Sequence, residues 1–137
     1  GTLRAEGSEN EKITFTSLAQ TSAGAWGFIS FSASSTNSIL DNVIVRYGGW
    51  YNPPFKSGAV KVNNTDVIIS NSLIENNLFA GLHLVNSTST IENTTFKDHT
   101  AKYGQLGLSD SAAIYLENST TTLDNVTFVN NSIDIFP

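Results

Sequence analysis

Apolar and polar residues alternate along most of the chain. Ile13 and Phe15, Ile29 and Phe31, Val60 and Val62, Leu82 and Leu84, Ile114 and Leu116, and Ile133 and Ile135 each flank one residue that must face the other way. A period of two is the signature of a half-buried strand, whereas the i, i+3, i+4 spacing of an amphipathic helix is sustained nowhere. β-Branched and aromatic residues fill the apolar positions and favour a pleated surface. The pattern predicts an all-β chain.

The strands also repeat. Four segments beginning at Leu40, Ile69, Ile91 and Leu123 align without gaps, each reading aliphatic, polar, Asn, two variable residues, then a large apolar residue. Upstream of the last three, an apolar pair and a second Asn (Asn64, Asn86, Asn118) recur in the same register. Asn71 and Asn93 are 22 residues apart, a unit too short to bury its own apolar face, so it must stack on its neighbours. About five to six such coils fit residues 1–137, read as a single solenoid domain or a segment of a larger surface protein. The first copy agrees only with about two extra residues in Ser32–Ser38. Asn42, Asn71, Asn93 and Asn125 are expected to form an inward ladder at a turn. Asn tolerates left-handed backbone geometry there, and stacked amides can bond one another.

The alternation around these four residues, in segments such as Val67–Asn77 and Thr88–Asp98, resembles the right-handed parallel β-helix repeat of pectate-lyase-like enzymes and of many secreted or surface proteins. Gly1–Ser17, Trp26–Phe31 and Ile39–Gly49 resemble the early coils of surface proteins in that group. The resemblance spans essentially the whole chain. It implies a β-helix (β-solenoid), a secreted or cell-surface location, and a groove beside one strand and its loops. It does not choose among lyases, hydrolases, adhesins and spacers, because one fold hosts them all.

Composition narrows the classes. Ser, Thr and Asn fill 47 of 137 positions, yet large apolar residues recur throughout, so the chain is polar without the signature of disorder. A net charge of −5 with scattered Lys and Arg speaks against a nucleic-acid partner. No apolar run approaches the ~18 residues of a membrane span, so no membrane insertion is expected. The absence of Cys removes disulfides and thiolate chemistry. Neither a cofactor nor a metal is expected: Glu92 and Asp124 fall on neighbouring coils, but no Asp-rich loop completes a Ca²⁺ shell. The chain opens on Gly1 and contains no Met, which suits a processed chain or a piece of a longer one, with solenoid ends that continue or dock on another copy.

Candidate chemistry concentrates where the period is broken. From the ladder Asn to the next coil's first apolar position takes 11 residues after Asn71, but 18 after Asn42 and 21 after Asn93. The two insertions, 48–58 and 100–112, therefore leave the same turn and bracket the third coil. The first carries Trp50, Tyr51 and Phe55 beside Pro53 and Pro54; the second carries Lys102, Tyr103, Gln105 and Asp110, with His99 just before it. On the adjoining strand the outward positions Ser30, Lys61, His83 and Tyr115 should stand in a row, ~4.8 Å apart. Trp50, Tyr51, Phe55, Lys61, His83, Tyr103 and Tyr115 are thus the candidate ligand-binding residues, since ring faces and polar donors suit an extended glycan. The competing structural reading has the loop aromatics covering the coil's flank and the strand row simply solvated. Arg46, Glu75 and Lys97 form a second row, expected as a surface salt ladder. Six Asn-x-Ser/Thr sequons begin at Asn63, Asn86, Asn93, Asn118, Asn125 and Asn130. Asn93 and Asn125 should be inaccessible within the ladder, leaving exposed turns such as Asn86 or Asn118 for glycosylation. The stacked Ser and Thr runs 87–90 and 119–122 are too irregular for an ice-binding array.

No catalytic motif is present. The leading expectation is an extracellular or cell-surface structural and binding module, a rigid solenoid that spaces or assembles and contacts polysaccharide through the 48–58 and 100–112 loops. One alternative is a carbohydrate-active enzyme. As a polysaccharide lyase it would use Lys61, His83, Tyr115 and Lys102; as a glycoside hydrolase it would use Asp98 with Asp110. The other alternative is a homopolymeric filament subunit that self-associates end to end.

Overall fold

The computed structural model describes residues 1–19, 21–52, 55–99 and 112–137, with the backbone alone described for 50–52 and 55–57. Three parallel sheets run the length of the solenoid. The first joins β1 (Arg4–Glu6), β4 (Ser38–Asp41), β9 (Val67–Ser70), β12 (Thr88–Glu92) and β15 (Thr120–Asp124). The second joins β2 (Ile13–Phe15), β5 (Val43–Arg46), β10 (Leu73–Glu75), β13 (Thr95–Lys97) and β16 (Thr127–Val129). The third joins β3 (Ile29–Phe31), β8 (Val60–Asn63), β11 (Leu82–Val85), β14 (Ala112–Glu117) and β17 (Ile133–Phe136). Each coil gives one strand to each sheet, so the expected stack of short coils is realised as five rungs.

Period-two alternation sends alternate residues into the interior, where parallel register stacks like on like. Leu40, Ile69 and Ile91 are fully buried behind the first sheet, Val45, Ile74 and Phe96 behind the second, and Val60, Leu82 and Ile114 behind the third. The Phe96 ring stacks on Phe128 of the next rung at 5.7 Å between centroids.

Strands this short must turn sharply, and the corners are made by residues in the left-handed region. Ten of the thirteen non-glycine residues with positive φ are Asn, the L-residue that tolerates this geometry best because its short amide can bond locally. They fall in columns. The first corner stacks Asn64, Asn86 and Asn118; the second stacks Asn42, Asn71, Asn93 and Asn125; the third stacks Tyr47, Asn76, Asp98 and Asn130.

The asparagine ladder is therefore present, and Asn125 Nδ2 donates to Asn93 Oδ1 at 2.8 Å. Its direction corrects the expectation: Asn71, Asn93 and Asn125 are exposed, because a left-handed corner residue points its side chain outward. Asn71 and Asn42 bond Asp41 instead of each other. The sequons at Asn93 and Asn125 are accordingly not hidden.

The inward polar ladder belongs to the next residue along. Ser72 and Thr94 at the second corner, and Ser87 at the first, are buried. Each hydroxyl donates to the carbonyl two residues back and accepts an N–H from the preceding coil, as in Val43 N to Ser72 Oγ at 3.1 Å and Ser72 N to Thr94 Oγ1 at 3.3 Å. At the third corner Asn77, His99 and Asn131 take this role. Asn77 Oδ1 accepts from Gly48 N at 2.8 Å and Asn131 Oδ1 from His99 N at 3.1 Å. Corner amides that strand pairing cannot reach are satisfied in this way.

Candidate functional site

Both insertions leave the third corner. The first forms an antiparallel hairpin of β6 (Trp50–Asn52) and β7 (Phe55–Ser57), in the register Trp50↔Ser57, Tyr51↔Lys56 and Asn52↔Phe55. Its base is pinned by Gly49 N donating to Gly27 O at 2.6 Å and Ala59 N to Ala80 O at 2.9 Å. Gly49 has φ 103°, and a Cβ there would lie 2.1 Å from Leu78 O, so only glycine lets the hairpin depart at this point. The side chains of Trp50, Tyr51 and Phe55 lie outside the described residues, as do Lys102, Tyr103 and Asp110 altogether.

The third sheet brings the remaining candidates together. Register pairs Ser30 with Lys61, Lys61 with His83, and His83 with Tyr115. The row extends to Phe136, opposite Tyr115, because β17 pairs Ile135, not Ile133, with Ile114. The row read from the sequence ends at Tyr115, so Phe136 is missed. The rings of three successive rungs contact one another. His83 stacks on Tyr115 at 4.7 Å and 19°, and Tyr115 meets Phe136 edge-on at 5.8 Å.

His83 differs from the solvated side chain expected of an outward position, being only 4% exposed. Burial pushes its imidazole below its ordinary pKa and the Lys61 charge adds to this, while Glu117 opposes both. The Glu117 carboxylate stands 3.6 Å from His83 Nε2, too far for a hydrogen bond. Glu117 lies two residues beyond Tyr115 and so shares its face, a relation that period two makes legible. The row thus offers one cation, a half-exposed phenol with an aromatic neighbour, and a partly exposed carboxylate around a neutral, buried imidazole that supports the Tyr115 ring from beneath.

The other candidates are structural or unassembled. Arg46, Glu75 and Lys97 do stand in register, but among the described residues no ion pair joins them; Lys97 instead reaches its neighbour Asp98 at 3.5 Å. Glu92 and Asp124 are register partners, and among the described residues no cluster of three or more metal-ligating side chains exists.

A family model described as the right-handed beta helix region matches residues 3–135. The chain belongs to the right-handed β-helix family. Comparison with curated proteins finds no match. Within a right-handed β-helix the third-sheet row runs along the solenoid axis, crossing five rungs, beside the corner from which both insertions depart.

Proposed function

We propose that this β-helix is a non-enzymatic binding and spacing module of an extracellular or cell-surface protein, and that it contacts an extended polysaccharide along the outer side of its third sheet. The observation that carries this reading is the continuous row Ser30, Lys61, His83, Tyr115 and Phe136, in register across five rungs. Rungs ~4.8 Å apart present a ligand with repeated contacts at short, equal steps. Tyr115 and Phe136 supply ring surface for the apolar face of a sugar, and Lys61 supplies a donor for hydroxyls or carboxylates. The hairpin strands β6 and β7 rise from the corner beside the row.

The test is a glycan array followed by titration of the best polysaccharide against Tyr115→Ala and Lys61→Ala. The module reading expects binding that weakens about tenfold or more in each variant, as loss of a stacking or charged contact implies. Unchanged binding in both variants would sink it.

One observation favours a second reading, a carbohydrate-active enzyme. A buried imidazole with a lowered pKa beside Lys61, Tyr115 and Glu117 is the kind of environment found at catalytic sites. Turnover of a polyuronate by the wild type, lost in His83→Gln, would replace the module reading with this one.

A further inference from the structure

His83 carries a polar atom that the fold leaves unpaired. Its side chain is only 6% exposed, yet among the described residues Nε2 has no hydrogen-bond partner. Buried polar atoms in native proteins are nearly always bonded, and an exception has a cause such as a bound ion. The Tyr115 ring, stacked on the imidazole at 4.7 Å and 19°, fixes the plane of the His83 ring. Nε2 then stands 3.6 Å from Glu117 Oε1. The two residues form a diagonal cross-strand pair, since Tyr115 is the register partner of His83 and Glu117 lies two residues further on the same face.

We infer that His83 Nε2 and the Glu117 carboxylate are the protein ligands of a site for a divalent transition-metal ion of the Zn²⁺ type. The spacing fits. Zn–N and Zn–O bonds of about 2.0–2.2 Å at a tetrahedral angle put two donor atoms about 3.4 Å apart. The observed 3.6 Å is too long for a hydrogen bond and close to this separation. With its proton on Nδ1 the neutral imidazole presents a lone pair at Nε2, and the carboxylate supplies the negative charge. Glu117 is 42% exposed, so an ion reaches the pair from solvent and keeps water in its remaining positions. Donor type selects the metal. Imidazole suits Zn²⁺, Ni²⁺ and Cu²⁺, whereas Ca²⁺ takes about six to eight oxygens, which one carboxylate and one ring nitrogen do not offer. Lys61, the register partner of His83 on its other side, opposes a cation and keeps the affinity modest.

The inference does not depend on the polysaccharide reading, and its probe is the metal alone. The chain has two histidines, so titration of the isotope-labelled wild type with zinc chloride at neutral pH can be followed through the imidazole NMR signals of each. Those of His83 should move saturably while those of His99 stay in place, and calcium chloride at the same concentrations should move neither. Calorimetry then compares variants. Glu117→Gln changes a partly exposed side chain at constant shape and should bind Zn²⁺ about tenfold or more weakly, since even an outer-shell partner of a metal site is worth that much. Lys61→Ala should bind more tightly, and His83→Gln should not bind. The wild-type titration covers the case of a His83 variant that fails to fold. His83 signals that Zn²⁺ leaves unmoved, equal movement with Ca²⁺, or an unchanged affinity in Glu117→Gln would overturn the inference.

Discussion

Lowering the pH from 7 to 5 is expected to cost the folded chain about 2 kcal/mol through His99 alone. His99 is fully buried within the inward ladder of the third corner. Its Nδ1 lies 3.1 Å from Asn131 Oδ1 and its Nε2 lies 3.4 Å from Asn77 Nδ2. The neutral ring with its proton on Nδ1 satisfies both neighbours, donating to Asn131 and accepting from Asn77. A second proton would set an N–H against the Asn77 amide, and the site has no room to rearrange because Gly81 packs against Nε2. Burial accordingly depresses the imidazole from 6.5 to about 4, with Asn131 and the Asp98 charge opposing in part. Between these values the unfolded chain binds the proton and the folded chain does not. Stability is therefore complete above ~6.5 and falls as the pH drops towards 4, by about 2 kcal/mol at pH 5 and ~3 kcal/mol at pH 4. His83 is depressed in the same direction, so the assay must isolate His99. The comparison is urea unfolding of the wild type and His99→Asn, which continues the Asn column without a titrating group, at pH 7 and pH 5. The variant should lose about 2 kcal/mol less on acidification than the wild type. Equal losses in the two proteins would refute the protonation argument.

Other substitutions probe the ladders and the core. Thr94→Val removes the hydroxyl that accepts from Ser72 N and should cost about 1–3 kcal/mol in urea unfolding, since a buried donor is orphaned at nearly constant volume. At the exposed corner, Asn93→Ala should cost about 1–2 kcal/mol and Asn93→Gly clearly less, because the strain lies in the left-handed backbone and not in burial. Gly81→Ala should destabilise by about 1–3 kcal/mol, as its Cβ would lie 2.5 Å from His99 Nε2 and 3.0 Å from Ala113 O; a melting temperature equal to that of wild type would contradict this packing.

The fold was legible because period two, a 22-residue spacing and a shared Asn are all local signals, and stacking makes a local signal global. The inward ladder was harder to read. In the pairs Asn71-Ser72, Asn86-Ser87 and Asn93-Thr94 the conspicuous Asn serves the left-handed backbone, while the plainer hydroxyl beside it satisfies the buried amide. Recurrence alone does not say which of two adjacent polar residues faces inward; φ does. The row Ser30, Lys61, His83 and Tyr115 followed from register, but its accessibility did not. Whether an outward side chain is solvated depends on what lies over the sheet, and His83 proved to be buried. Phe136 was missed because equal-looking apolar pairs left the register of β17 open by two residues.

The claim of a non-catalytic binding face is tested most directly by NMR titration of the isotope-labelled chain with fragments of the polysaccharide selected on the array, recording protein and glycan spectra from the same tube. The signals of Lys61, Tyr115 and Phe136 should move together and saturably while the glycan spectrum stays that of intact material. Stationary signals along the third sheet, or the appearance of cleaved glycan, would contradict it.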